Sequence, residues 1–99
     1  MAPFASVLAA AAIAQFGLNA PSLSAAAAPT PYGVLGCLQR ARTALYVNGG
    51  SNLQERGNSL FAVIAGDTTA MLWCRGDHVV IVGAGAHHNQ AVESLKASF

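Results

Sequence analysis

Residues 60–82 read LFAVIAGDTTAMLWCRGDHVVIV, and this stretch decides the fold class. Three short runs, Leu60 to Ala65, Thr69 to Arg75 and His78 to Val82, are rich in Val, Ile, Phe, Trp and Leu. Gly66-Asp67-Thr68 and Gly76-Asp77 separate them at hairpin spacing. Short β-branched and aromatic runs punctuated by such turn residues specify antiparallel strands joined by tight turns. We therefore expect a three-stranded antiparallel meander.

Outward from the meander the periodicity changes. Val34, Cys37, Leu38, Ala41, Ala44, Leu45 and Val47 recur at spacings of three and four, one apolar stripe of an amphipathic helix. Asn48-Gly49-Gly50 ends it, because Asn and Gly tolerate the left-handed conformation after a helix. Residues 51–58, SNLQERGN, are polar and suggest a loop. On the far side, Gly83-Ala84-Gly85-Ala86 leaves the sheet, and Asn89 is placed to cap a last helix over Gln90 to Ser98. The expected fold class is α+β, in the order α-β-β-β-α, with the meander packed against two helices in a domain spanning 34–99.

The charge distribution divides the chain. All nine Lys, Arg, Asp and Glu residues lie between Arg40 and Lys96, whereas twelve of the 21 alanines fall in residues 1–28. Phe4 to Leu18 is apolar apart from Ser6 and Gln15, Pro21 interrupts it, and small residues follow. That is the layout of a secretory signal peptide over 1–27, with cuts after Ser24, Ala26 or Ala27, although no Lys or Arg precedes the apolar core. A membrane anchor and an unstructured tail compete with this reading. The apolar run is shorter than the roughly 20 residues a membrane helix needs, so no stable span is expected after processing. Residues 28–33, APTPYG, suggest a Pro-rich linker.

Cys37 lies on the helical stripe, and Cys74 is in phase with Ala70 and Leu72 on one strand face. In an exported chain two cysteines point to a disulfide, here across the helix–sheet interface. Two alternatives remain at this stage: a pair of buried thiols, and lipidation of Cys37 in an envelope protein, since Val34-Leu35-Gly36-Cys37 is similar to the end of a lipobox.

Other motifs are weaker. The strand entering Gly83-Ala84-Gly85 has the start of a dinucleotide-binding turn. However, His88 stands where a third small residue is needed, and the sequence holds no acidic residue about 20 positions on. His87, His88 and Asn89 open the last helix, so the Gly83–Asn89 loop is a candidate anion or small-molecule site. His78 is far along the strand from the other two histidines, so no metal site is expected. Arg75-Gly76-Asp77 spells an adhesion tripeptide and equally suits a hairpin turn. A net charge of +1 gives no reason to expect nucleic acid, and no motif calls for a cofactor. Met71 and Trp73 fall on the strand face opposite Cys74, a candidate surface for a protein partner or for homodimerisation.

Taken together, Cys37-x3-Ala41-x3-Leu45-x3-Gly49, Thr69-Ala70-x3-Cys74 and Val79-Val80-Ile81-Val82-x-Ala84-Gly85 resemble the pattern of small exported bacterial single-disulfide α+β proteins of unknown function. The resemblance implies an exported, non-enzymatic domain acting through surface contacts, and supplies no catalytic residues to carry over.

Overall fold

A computed structural model describes residues 22–99. The fold is α+β: strand β1 (Leu23–Pro29), helix α1 (Gly33–Val47), strands β2 (Ser51–Arg56), β3 (Ser59–Ile64), β4 (Thr68–Cys74) and β5 (His78–Gly85), and helix α2 (His88–Lys96). The five strands form one antiparallel sheet in the order β1-β5-β4-β3-β2. From β1 at one edge the path crosses to the other edge through α1 and returns strand by strand until β5 lies beside β1.

The meander exists as β3, β4 and β5, but the sheet has two strands more than expected, one added on each side. The polar segment expected as a loop is β2, folded back on β3 through a two-residue turn at Gly57-Asn58, with Arg56 facing Ser59. Gly57 has φ 59°, the positive dihedral such a turn requires. On the opposite side β1 pairs with β5 from Leu23↔Ala84 to Pro29↔His78. The expected linker therefore begins inside a strand, and Thr30 beyond it is fully buried, its N–H donating to the Asp77 carbonyl at 2.9 Å. Residues 1–21, which carry most of the expected signal peptide, lie outside the described residues. Its proposed cut positions Ser24, Ala26 and Ala27 all fall within β1.

Both helices cover the same face. Strand alternation puts Ala28, Leu60, Ala62, Ile64, Ala70, Leu72, Cys74, Val79 and Ile81 on it, where they pack with Cys37, Leu38, Ala41, Ala44 and Leu45 of α1 and Ala91, Val92 and Leu95 of α2. The alanines of β1 present little bulk, which lets α2 sit close over β1 and β5. The helix begins one residue before Asn89, with His87 at its N-cap position and no side-chain cap, so the expected capping role of Asn89 is not realised. Its neighbour in the sheet explains the glycines. A Cβ on Gly83 would lie 2.9 Å from Val92 Cγ2, and one on Gly85, where φ is +131°, would lie 2.2 Å from the Asp67 carbonyl oxygen. Gly83 therefore serves helix–sheet contact and Gly85 lets β5 pass the β3–β4 turn, a packing use of the Gly-x-Gly pattern.

Cys37 and Cys74 form a disulfide with a Cα–Cα distance of 5.8 Å, and both are fully buried. It joins the first turns of α1 to the end of β4, as the stripe and the strand phase imply. The bond occupies the Cys37 sulfur that lipidation would need, which removes that alternative.

Candidate functional site

Two places merit description: the junction at the start of α2, and the face of the sheet opposite the helices.

At the junction three segments meet. The His87 backbone N–H donates to Thr68 Oγ1 at 2.9 Å, and that hydroxyl donates to Asp67 Oδ1 at 3.0 Å. His87 Nδ1 donates to the same carboxylate oxygen at 2.9 Å. The hydrogen bond from His87 is the main reason the Asp67 carboxyl is held below its ordinary value of 3.8. Beside this, Ser24 of β1 donates its hydroxyl proton to Asn89 Oδ1. That direction leaves His88 Nδ1 as the donor to Ser24 Oγ, giving a chain His88→Ser24→Asn89.

The structure thus brings His87, His88 and Asn89 together at a helix start, but commits their polar groups to holding α2 against β1 and the β3–β4 turn. The Asp67 carboxylate against His87 offsets the positive charge that an anion would seek there. Sequence reasoning missed Ser24, Asp67 and Thr68 as partners, because their spacing from the histidines, up to 65 residues, carries no local signal. His78 pairs with Asp77 in the next turn at 2.7 Å, at the other end of β5. Among the described residues no group of three or more His, Cys, Asp or Glu side chains converges on a metal site.

The opposite face has a different character. Reading across the strands, its central row is Ala25, Val82, Met71, Phe61 and Gln54, flanked by Ala27, Val80, Trp73, Ser59 and Arg56. Both helices lie on the other side, so among the described residues no helix or strand packs over this row. Met71 at its centre is nonetheless only 2% exposed. The surface expected from Met71 and Trp73 is therefore offered by the half-buried residues around Met71: Phe61, Val63, Trp73, Val80 and Val82. The Arg75 guanidinium stacks on the Trp73 ring at 4.3 Å from its centroid. Towards β2 the face becomes polar, with exposed Asn52, Gln54 and Arg56. The sign changes behind it: Glu55 turns to the helix side, where Arg42 of α1 holds it at 2.8 Å.

No helix among the described residues is long and apolar enough to cross a membrane. Comparison with known proteins finds no matching family, no matching curated protein and no matching solved structure.

Proposed function

We propose that this protein is a secreted or periplasmic, non-catalytic domain that works by surface contact, and that the sheet face opposite the helices is its contact surface. One observation carries the reading: among the described residues two helices cover one face, while half-buried apolar side chains of β3, β4 and β5 stand on the other. Buried cystine in so small a domain supports an oxidising compartment. If the apolar N-terminal segment is a leader, its removal has to occur before Leu23 for β1 to stay in the sheet.

The size of the face limits the partner. Five strands spaced by about 4.8 Å and about five residues deep present roughly 400 Å² in projection. A standard interface takes roughly 800 Å² from each side. Self-association face to face through Met71 and Trp73 would need nearly the whole face, whereas a small or narrow ligand needs only part of it.

The test is solvent access in the whole chain. A soluble gadolinium chelate should broaden the NMR signals of Phe61, Val63, Val80 and Val82 strongly, and those of Leu60, Leu72 and Ile81 weakly. Equal protection of both sets would show the face to be covered and would sink the reading. Intact mass of the exported protein tests the compartment. A species two hydrogens lighter than the dithiol and beginning at or before Leu23 is expected, and free thiols would contradict it.

A further inference from the structure

We propose that the β2 side of the open face binds an acidic saccharide. This rests on the reading of that face as the contact surface, and names the chemistry of what it contacts. Two depressions flank Phe61, of about 580 Å³ and about 270 Å³, and both are lined by Phe61 and Arg56. Together they make one groove along β3. Asn52 and Gln54 of β2 line one end, and Asn58 and Trp73 the other.

The lining has an unusual composition for a protein-binding surface. Its polar members are three neutral amides, Asn52, Gln54 and Asn58, two hydroxyls, Ser59 and Thr69, and Arg56. Each amide offers both a donor and an acceptor, the pattern that pairs with hydroxyl groups carrying both functions on one atom. The floor is the half-buried ring of Phe61, a flat apolar surface that matches the C–H face of a pyranose ring. Among the described residues Arg56 is the only charged side chain in the lining, and no carboxylate lines either depression. The nearest acid in sequence, Glu55, is on the reverse of the sheet and held by Arg42. A guanidinium left on such a surface selects a planar carboxylate, which it can bind through two parallel hydrogen bonds. Asn52 to Arg56 spans about 14 Å at strand rise, enough for an oligosaccharide rather than a single ring.

Other occupants fit less well. A peptide adding to the sheet at β2 meets an irregular edge, because the β2–β3 register shifts between Ser51 and Gln54 and Asn52 has φ 54°. Such a bulge interrupts the ladder that strand addition needs. A nucleic acid needs several cations along its phosphates, and the lining supplies one. A second copy brings its own Arg56 and no acid from this groove to receive it.

The experiment is an NMR titration of the full chain with a short galacturonic acid oligomer, with a neutral gluco-oligosaccharide of equal length, and with polyglutamate of equal charge. The acidic oligomer should shift the side-chain amides of Asn52, Gln54 and Asn58 and the backbone of Phe61. The neutral sugar should shift the same signals with affinity about tenfold lower, and Arg56→Gln should bring the acidic oligomer down to that level. Gln54→Ala, on an exposed side chain, should weaken both sugars. Absence of shifts, equal shifts from polyglutamate, or indifference to Arg56→Gln each overturns the proposal. Absent binding with Phe61 and Val63 open to the gadolinium chelate refutes the saccharide alone. Absent binding with those groups protected refutes the contact face beneath it.

Discussion

Removing the Cys37–Cys74 bridge is the perturbation with the largest calculable effect. The two cysteines are 37 residues apart in sequence. Closing a loop of that length restricts the unfolded chain by about 4 kcal/mol in the chain-entropy account. A domain of this size has a net stability of roughly 4–12 kcal/mol, so the bridge supplies a large share of it. At about 4–8 °C per kcal/mol for small domains, Cys37→Ala combined with Cys74→Ala should lower Tm by about 15–30 °C. The urea m-value should rise, because the uncrosslinked unfolded chain exposes more surface. Thermal and urea melts followed by far-UV circular dichroism measure both quantities. Both sulfurs are fully buried, so dithiothreitol should reduce the wild-type protein no faster than the domain unfolds. A double variant melting within about 5 °C of wild type with an unchanged m-value would refute the reasoning. It would mean that the fold already restrains these segments without the covalent tie.

The remaining predictions concern the sheet and the α2 junction. Gly85→Ala should prevent stable folding, since the added Cβ meets the Asp67 carbonyl at 2.2 Å and φ is +131°; a cooperative melt near the wild-type Tm would contradict this. Gly83→Ala should cost about 1–3 kcal/mol by pushing Val92, and Val92→Ala in the same chain should restore part of it, as a double-mutant cycle would show. Thr68→Val leaves the part-buried His87 N–H without its acceptor and should destabilise by about 1–2 kcal/mol in urea melts. The hydrogen bond from His87 depresses the Asp67 carboxyl, so its stabilising contribution is complete above the unfolded value of 3.8 and is lost as pH falls through the lower folded value. Asp67→Asn should therefore flatten the acid limb of a Tm-against-pH curve, and an unchanged limb would place the acid sensitivity elsewhere.

Much of the helix-covered face is legible without coordinates. The three- and four-residue spacing of Cys37, Leu38, Ala41, Ala44 and Leu45 marks the residues α1 buries, and the phase of Ala70, Leu72 and Cys74 marks the strand face they meet. Both signals are local, and the disulfide follows once the two faces are set together. The β2–β3 hairpin was also within reach: Gly57-Asn58 is a recognised two-residue turn. It is hidden by the polarity of Ser51 to Arg56, which sits at the sheet edge, where a strand needs no alternating apolar face.

The candidate sites were less legible. Met71 and Trp73 share a face as their spacing requires, yet burial differs between them, and the polar groove over Phe61 depends on β2 lying beside β3. The histidine pair is placed at a helix start by local sequence. What occupies those side chains, Ser24, Asp67 and Thr68, arrives from elsewhere in the chain.

Local order along the chain, then, determined the helix of Val34 to Val47, the three central strands and their turns, because periodicity and turn chemistry act over a few residues, and it set the faces on which Cys37 and Cys74 lie. Only the tertiary structure decided the fate of Leu23–Pro29. An alanine-rich segment has little strand preference of its own, and its place is set by β5, from Leu23 opposite Ala84 to Pro29 opposite His78. Its small side chains matter for what they leave room for: α2 packed over β1 and β5, two strands far apart in the sequence.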